Sequence, residues 1–392
     1  MQREEPGSKS IEMSKSPLKI TFFSVLPPFR GGIAQFSQEL RKALSQQVNV
    51  SAYTFKRQYP DFLFPGQSQF ENGEQRFDVP RVVSTFRPWT YLTALARFKR
   101  DKGSIFITNY WMSFFAPMMG FWARFLPKKT TKIALIHNLV PHEKRFFDKG
   151  FNHFFLTSYD GFIVLSDAVK QDVLKVRPEA KICVLPHPSY QQYGERISKE
   201  EAQQKLGLDP SKKTLLFFGL IRPYKGLSLL LEAFSRLDDS FQLVIAGEVY
   251  GERSVYDRLI HESLNQNIHF HDQFIPNEAV QDYFSCADLC VLPYLSATQS
   301  GIKAMCDAFS LPALVSEAGG LSEEIEEGVN GFVLHQMSPE GLATKITDIC
   351  TESTLYPVEQ HLSAVLKSKE NEWANFAQTV LNFSSEIHQS NN

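Results

Sequence analysis

Two cations three positions apart, Arg222 and Lys225, lie in the segment LLFFGLIRPYKGLSLLLEAF, residues 215–234. They follow an apolar run that ends at Gly219, and they precede a stretch with helical periodicity. Backbone N–H groups and the macrodipole at the start of a helix attract anions, and two cations strengthen that attraction. A diphosphate fits this combination best, whereas a solvated turn with two surface cations explains the stretch equally well when it is taken alone.

A second glycine-bearing loop, PPFRGGIAQFSQEL at residues 27–40, separates the first apolar strand from its helix. Gly31 and Gly32 allow a backbone to approach a ligand closely. The spacing is not G-x-G-x-x-G, and no acidic residue ends the next strand, so a dinucleotide site such as that for NAD is weakly supported. A plain tight turn is the alternative.

His137 stands at the end of the predicted strand TKIALIHN, residues 131–138. A histidine at a strand end lies well placed in a cleft, where a neutral imidazole can bind a hydroxyl or pass a proton. A lone histidine is more often structural, but this position favours a functional role.

The segment LPYLSATQSGIKAMCDAFSLPALVSEAGGLSEEIEEGVNGFVL, residues 292–334, predicts two successive turns from strand to helix. The first turn contains Ser300 and Gly301, and the second contains Gly319 and Gly320. Both turns should direct free N–H groups into the same cleft. Because no D-x-D sequence ends a strand as a Mg²⁺ ligand, cations and amides would have to neutralise a phosphate themselves, and we expect neither a metal nor a cofactor.

The elements that must position these residues alternate between strand and helix, which predicts mostly parallel sheets covered by helices. Predicted strands of the first half are residues 19–26, 48–55, 104–110, 131–138, 161–166 and 181–187. Those of the second half are residues 213–219, 241–247, 268–274, 289–293, 312–317 and 331–335. The predicted fold class is α/β, with two doubly wound Rossmann-like domains that face each other across a cleft and bind ligands at the carboxyl ends of their strands.

The length of 392 residues exceeds what one core usually supports, so two domains are expected. The predicted organisation is a disordered leader (1–17), an N-terminal Rossmann-like domain (18–190), a linker (191–212), a C-terminal Rossmann-like domain (213–365), and a C-terminal helix with a tail (366–392) that packs back on the N-terminal domain. The leader lacks the apolar region of a secretory signal. Five cysteines without a C-x-x-C pair indicate reduced core thiols of a cytosolic protein.

Charge is distributed unevenly along the chain. Residues 1–190 contain 27 Lys and Arg against 15 Asp and Glu, whereas residues 191–392 contain 14 against 28. A basic half predicts an anionic partner, either a nucleic acid or an anionic membrane face. Basic residues mix with aromatic ones in residues 86–102 and 121–132, a pattern typical of an interfacial membrane patch. A solvated basic face is the alternative.

Taken in order, five motifs resemble the retaining glycosyltransferases of family 4, also called glycosyl transferases group 1, which have the two-domain GT-B architecture. The motifs are GGIAQFSQEL, HNLVPHE, FFGLIRPYKGLSLLLEAF, CADLCVLPY and GIKAMCDAFSLPALVSEAGGLSEEIEEGVNGFVL. The resemblance spans about residues 18–385. It implies that the N-terminal domain (18–190) binds the acceptor and that the C-terminal domain (213–365) binds the nucleotide sugar. It implies retaining, metal-independent transfer of a hexose or N-acetylhexosamine from a UDP or GDP sugar to a glycan or lipid-linked glycan. With the cysteines and the basic first half, we expect a cytoplasmic protein that contacts the anionic inner face of the cell membrane peripherally and binds no nucleic acid.

The resemblance also implies roles for individual residues. The expected catalytic residues are His137, Arg222 and Lys225. The expected donor-binding residues are Gly31, Gly32, Gly219, Arg222, Lys225, Phe274, Ile275, Ser300, Gly301 and Glu323. Stabilisation of the leaving group would be electrostatic. Retention would proceed by front-face attack, in which the donor phosphate accepts the proton of the acceptor.

The chain departs from the pattern of this family at one place. The family usually has two glutamates with seven residues between them, and these positions hold Ala297 and Met305. The second glutamate ordinarily binds the ribose, and the loss of a charge-assisted hydrogen bond costs roughly 1.5 to 3 kcal/mol. The surviving cations and glycine loops favour an active enzyme. A non-catalytic sugar-nucleotide-binding or scaffolding protein and a nucleotide-sugar epimerase are the alternatives.

Overall fold

The computed structural model describes residues 18–59, 69–70, 77–140, 145–190, 192–297, 300–323, 325–368 and 371–391. The predicted leader, residues 1–17, lies outside the described residues. The described chain forms two α/β domains, each built on a single parallel sheet. The predicted fold class is therefore confirmed.

Within the described residues, the sheet of the N-terminal domain has seven strands. They are β1 Lys19–Phe23, β2 Asn49–Arg57, β3 Arg81–Ser84, β4 Ile105–Tyr110, β5 Thr131–Ile136, β6 Gly161–Val164 and β7 Ile182–Val184. Their order across the sheet is β3-β2-β1-β4-β5-β6-β7. The sequence did not predict β3, because its four residues, RVVS, are too few to show an alternating pattern.

Helices cover both faces of this sheet. They are α1 Gly32–Ser45, α2 Trp89–Asp101, α3 Ala116–Phe125, α4 Asp148–Leu156 and α5 Asp167–Val176. Phe22 and Phe36 belong to the apolar cluster on the α1 face, whereas Phe23 and Trp122 belong to the cluster on the other face. Apolar residues on both faces of each strand are typical of a doubly wound sheet.

In the part of the C-terminal domain that the structure describes, the sheet has six strands. They are β8 Lys213–Phe218, β9 Phe241–Ala246, β10 Ile268–His271, β11 Leu289–Leu292, β12 Ala313–Ser316 and β13 Phe332–Leu334. Their order is β10-β9-β8-β11-β12-β13, again all parallel. Its helices are α6 Lys199–Leu206, α7 Leu227–Phe234, α8 Arg253–Glu262, α9 Val280–Ser285, α10 Gly301–Ala308, α11 Pro339–Ile349 and α12 Glu352–Ser368.

The stretch that was expected to link the domains, residues 191–212, contains helix α6. This helix packs on α9, and its Lys199 pairs with Asp288 at 2.7 Å. The helix was not predicted because its sequence, KEEAQQKL, is almost entirely polar and gives no apolar stripe.

The last helix, α13 Glu372–Asn391, returns to the N-terminal domain, where it packs on α1, β5 and β6. Glu372 accepts a hydrogen bond from the backbone N–H of Ser189 at 2.9 Å, and Trp373 Nε1 donates to the carbonyl of Ser189 at 3.0 Å. The chain therefore passes between the domains twice, and the two passages contact each other.

Strand order reverses in the middle of each sheet, between β1 and β4 and between β8 and β11. Ligands of doubly wound sheets bind at the carboxyl ends of strands beside such a switch point. Here β1 leads to the loop with Gly31 and Gly32, β8 leads to Gly219, and β11 leads to the start of α10. The fold thus brings the glycine-bearing loops to the facing edges of the two sheets.

Candidate active site between the domains

The turn with the two cations is held close to β11. A 3-10 turn, Pro223–Lys225, follows Arg222, and Gly226 ends it with φ of 74°. A β-carbon at Gly226 would overlap the carbonyl oxygen of Pro293, which follows β11. Only glycine allows both this backbone conformation and this close approach. The turn therefore presents its cations at the carboxyl ends of β8 and β11.

Lys225 is buried, with 9% of its surface exposed, and its ammonium lies 5.5 Å from the ring centroid of Tyr294. In the described part of the chain, no carboxylate lies within ion-pair distance of this ammonium. Two effects lower the pKa of Lys225 to about 8: burial, which is the larger, and the charge of Arg222. An anion bound beside the ammonium would stabilise its charged form.

Three elements converge at Gly219, whose φ is +95°. A β-carbon there would lie 3.2 Å from Lys225 Nζ and 3.1 Å from Ile302 Cδ1. Ile302 belongs to the first turn of α10, and its N–H donates to Oγ of the N-cap residue, Ser300, at 3.2 Å. Gly301 is the first residue of the same helix. The structure thus brings together Gly219, Lys225, Ser300 and Gly301, and it adds Ile302 to this group.

Arg222 is half-buried, and its guanidinium carbon lies 5.2 Å from the ring centroid of Tyr250. Arg30 reaches the same region from the N-terminal domain, where its Nη1 lies 3.4 Å from Glu248 Oε2. The guanidinium of Arg30 also lies 4.4 Å from the ring centroid of Phe274. Burial, followed by the charge of Glu248, raises the pKa of Tyr250 to about 12, although Arg222 and Arg30 act in the opposite direction.

Arg30 directly precedes the glycine pair, but no spacing or periodicity in the sequence indicates its role. Of the two residues expected at the donor beyond β10, Phe274 carries this cation–π contact, whereas Ile275 is buried in the core. Cation–π contacts of this kind stabilise by roughly 0.5 to 2 kcal/mol. The contact therefore helps to fix the first domain against the second.

The glycine loop of the N-terminal domain faces the start of α10. Gly31 has φ of 110°, and Gly32 is the first residue of α1. Within the described ranges, no atom lies within 4 Å of a β-carbon built on either glycine. The hydroxyl of Tyr190 donates to the carbonyl of Gly32 at 3.2 Å, and its ring lies 3.7 Å from a β-carbon built on Gly301. Tyr190, which no sequence pattern indicated, thus spans from one glycine loop to the other.

His137 directly follows β5 and is buried, with 3% of its surface exposed. Its ring packs edge-on against Phe36, with centroids 4.7 Å apart. Burial is the main reason, and the neighbouring His187 the second, that the pKa of His137 is lowered to about 3. The imidazole is therefore neutral. Its Nε2 has no hydrogen-bond partner in the described structure. The described ring contact of His137 is with Phe36 of α1. The structure therefore does not bring His137 into direct contact with the turn at Lys225 or with α10.

Glu323, also expected at the donor, makes a different contact. Its carboxylate accepts hydrogen bonds from the backbone N–H groups of Asp167 at 3.0 Å and Ala168 at 2.9 Å. These are the first two residues of α5 in the N-terminal domain. The donor-binding role of Glu323 remains a prediction.

A small cavity of about 40 Å³ lies between the domains, beside α10. Its polar lining consists of Ser166, His187, Ser300, Lys303 and Asp307. Lys303 and Asp307 form an ion pair one helical turn apart, at 2.5 Å. The face of α10 that carries this pair therefore borders the space between the domains.

The two positions at which the resembling family has glutamates are apolar and buried: Ala297 is 6% exposed and Met305 is 5% exposed. Both belong to the core cluster beneath α10. Among the residues that the structure describes, no group of three or more His, Cys, Asp and Glu side chains could hold a metal ion. Lys225, Arg222 and the first N–H groups of α10 lie at the carboxyl ends of β8 and β11.

Comparison with known proteins places both domains among glycosyltransferases. Residues 198–363 match the family model described as glycosyl transferases group 1, and residues 31–188 match that of the glycosyl transferase 4-like domain. A lipopolysaccharide 1,2-N-acetylglucosaminetransferase of Salmonella typhimurium is 24% identical over 230 residues, which are 55% of this chain and 59% of the relative. The matches to the first curated relatives span 34% to 59% of the length of those relatives.

Two solved structures resemble the whole chain. Sucrose-phosphate synthase from Thermosynechococcus elongatus has a TM-score of 0.75 at 18% identity, with 95% of this chain and 100% of that chain covered. Anabaena HepE in complex with UDP-glucose has a TM-score of 0.74 at 13% identity, with 93% and 99% covered. At these identities the likeness shows the fold alone. The fold is therefore that of GT-B proteins, and each of the two domains is similar to a domain family of glycosyltransferases.

Proposed function

We propose that the protein is a retaining glycosyltransferase that moves a hexose or N-acetylhexosamine from a UDP or GDP sugar to a glycan or lipid-linked glycan. The observation that carries this proposal is the convergence of the buried ammonium of Lys225, the bare backbone of Gly219 and the start of α10. Arg222 stands beside them. This arrangement suits a diphosphate at the switch point of the C-terminal sheet.

The same groups would stabilise the leaving group. Negative charge on the diphosphate increases as the bond to the sugar breaks, so cations fixed beforehand act most strongly on the transition state. A cation 4 Å from a phosphate contributes about 4 kcal/mol before desolvation at an effective dielectric constant of about 20. Because Lys225 is already buried, the desolvation of its ammonium opposes folding rather than donor binding.

In this proposal His137 binds a hydroxyl of the sugar. A neutral imidazole whose Nε2 has no partner in the described residues suits a hydroxyl ligand. Retention would follow from attack on the same face as the leaving group, and the departing phosphate would accept the proton of the acceptor. The proposal therefore assigns no protein side chain as the general base.

UDP sugars are the first donors to test, since HepE was solved in complex with UDP-glucose and the Salmonella relative is named for N-acetylglucosamine. The protein should be mixed with UDP-glucose, UDP-N-acetylglucosamine and GDP-mannose in turn, and both its melting temperature and nucleotide release should be measured. We expect one donor to raise the melting temperature and to release nucleotide faster when a glycan acceptor is added. EDTA should leave the rate unchanged.

The Lys225→Ala variant should lower kcat/KM at least about a hundredfold, equivalent to roughly 3 kcal/mol of lost stabilisation of the transition state. Lys175→Ala, which removes an exposed lysine of α5, is the matched control and should behave like the wild type. Equal nucleotide release by both variants, or a panel in which no donor raises the melting temperature, would contradict the proposal.

One observation favours a second candidate, a nucleotide-sugar-binding protein without turnover. Neither Ala297 nor Met305 offers a polar group to the ribose, and both side chains are buried. A donor that raises the melting temperature but releases no nucleotide with any acceptor would support this candidate.

We further propose that the N-terminal domain contacts the anionic inner face of the cytoplasmic membrane. The packed helices α2 and α3, with the residues before α2, expose large apolar side chains; these are Phe86, Trp89, Leu92 and Phe125, here called the α2–α3 surface. Exposed cations on the same segments include Arg97, Arg100, Lys128 and Lys129. Apolar side chains amid basic ones favour the interface of an anionic bilayer. Among the described helices, none is both long and apolar enough to span a membrane.

A further inference from the structure

Glu323 joins the two domains at a point separate from the cationic turn. It lies in the loop beyond β12, and each of its carboxylate oxygens accepts one N–H from the start of α5. The residues that these two hydrogen bonds join lie 156 and 155 positions apart in the sequence. The carboxylate of one domain thus caps a helix of the other.

The first N–H groups of any α-helix lack partners within the helix. In α5, Ser166 Oγ accepts the N–H of Val169 at 3.3 Å, which is a cap within the N-terminal domain. Glu323 takes the N–H groups of Asp167 and Ala168 from the other side of the cleft. A carboxylate at this end also interacts favourably with the helix macrodipole. The cap of α5 is therefore divided between the two domains.

The Glu323 contact and the Arg30–Glu248 pair lie on opposite sides of the points at which strand order reverses. β6 and β12 lie on one side of the two switch points, whereas the Arg30–Glu248 pair joins the domains on the other side, beyond β1 and β9. The interdomain cavity, with Ser166 and Ser300 in its lining, lies next to the Glu323 contact. The two cross-domain contacts thus flank the proposed donor site.

We propose that Glu323 is a positioning residue that holds the domains closed. Separation of the domains would break both of its charge-assisted hydrogen bonds, and closure would restore them. The closed arrangement sets the glycine loop of the N-terminal domain against α10. The effect of Glu323 on turnover rests on the proposed transferase function, whereas its effect on domain spacing does not.

The test uses the full chain with Glu323→Ala and Glu323→Gln. Glu317→Ala is the matched control, because this exposed carboxylate also follows β12 but pairs with His335 of its own domain at 2.9 Å. Small-angle X-ray scattering without ligand reports domain spacing, and hydrogen exchange reports protection of the amides of residues 167 and 168. We expect Glu323→Ala to increase the radius of gyration. We also expect the amides of residues 167 and 168 to exchange at least about tenfold faster, because the loss of a charge-assisted hydrogen bond has an effect of this size. Glu323→Gln keeps one acceptor oxygen and should show a smaller change, and Glu317→Ala should match the wild type.

Kinetics separate this role from direct donor binding. We expect Glu323→Ala to lower kcat about tenfold while the Kd for UDP changes less than about twofold, since its carboxylate contacts the other domain. Unchanged scattering and exchange in Glu323→Ala would overturn the inference, as would a Kd for UDP that rises while the domain spacing stays constant. If the wild type transfers no sugar but scattering and exchange respond as expected, the positioning role stands and the transferase proposal fails.

Discussion

The ammonium of Lys225 lies 3.2 Å from the position that a β-carbon on Gly219 would occupy. Gly219 also has φ of +95°, a conformation that L side chains rarely adopt. Glycine is therefore required here for two reasons: the backbone conformation at the end of β8, and the space that the buried cation fills.

Gly219→Ala should weaken UDP binding at least about tenfold, because the new methyl group displaces the Lys225 ammonium, and should destabilise the fold by about 1 to 3 kcal/mol through backbone strain. Gly207→Ala is the matched control. Gly207 ends α6 with φ of +66°, and no described atom lies within 4 Å of a β-carbon built on it. It should lower stability comparably and leave UDP binding intact. Titration calorimetry measures both affinities, and an equal loss in both variants would rule out displacement of Lys225.

Nucleotide binding should depend on pH through Lys225. Its pKa in the free protein is about 8, so the ammonium is largely charged below pH 8 and loses its proton above it. A bound diphosphate favours the charged form, so binding takes up a proton above pH 8. We expect the affinity for UDP to stay nearly constant from pH 7 to 8 and then to fall by up to about tenfold per pH unit up to the pKa of the bound form.

Proton uptake during calorimetric titration in two buffers of different ionisation enthalpy measures this linkage. Lys225→Arg keeps a charge at every pH in this range, so it should show no proton uptake near pH 9. Uptake that persists in Lys225→Arg would assign the titration to another group.

Stability in acid should depend on His137. Its pKa in the folded protein, about 3, lies below the ordinary value, so the unfolded chain binds a proton first as the pH falls. The stabilisation that the neutral ring contributes is complete above about pH 6.5 and is lost as the pH falls towards 3. His187, whose pKa burial lowers to about 4, adds a second loss of the same sign.

His137→Asn should therefore flatten the dependence of unfolding free energy on pH between pH 6 and 4 by at most about 1.4 kcal/mol per unit, which corresponds to one proton. Urea unfolding at four pH values gives this slope. This slope does not change if the substitution lowers the free energy of unfolding by the same amount at every pH. A slope identical to that of the wild type would mean that His137 does not titrate below its ordinary range.

Membrane contact should depend on the α2–α3 surface. The double variant Trp89→Ser and Leu92→Ser should weaken binding to vesicles of anionic lipid at least about tenfold, since each side chain contributes roughly 1.5 to 3 kcal/mol when fully buried in apolar surroundings. Leu264→Ser, on the C-terminal domain, is the control because Leu264 is 88% exposed. Wild-type binding should also fade as salt is added. Equal partitioning to neutral vesicles, measured by sedimentation, would contradict the proposal.

The local parts of the fold could be predicted from the sequence. Apolar runs that end at glycine or proline, such as residues 213–219 and 289–293, mark β8 and β11 to within one residue. Such runs were informative because strands buried on both faces need uninterrupted apolar residues. The glycine loops that follow these strands then predicted that Gly219 and Gly301 lie at the same edge of the sheet, at the carboxyl ends of its strands.

The remainder depends on contacts between residues far apart in the chain. Lys225 reads as a surface cation in its own segment, but it is buried and its ammonium lies beside the ring of Tyr294, a residue beyond β11. Glu323 and Arg30 each act on the opposite domain, and neither partner is marked by spacing or periodicity. Local patterns report which face of an element is buried, but they do not report which element covers it.

Helix α13 has a consequence for synthesis of the chain on the ribosome. Its Phe376, Val380 and Ile387 complete the same apolar cluster as Ile133 of β5, and a β-carbon at Gly161 would overlap the side chain of Ile387. These residues emerge after the whole C-terminal domain has been translated. The apolar cluster of the first domain therefore stays incomplete until α13 has been synthesised, and a stop codon directly before α13 would uncover part of that cluster although all strands of the second sheet had been made.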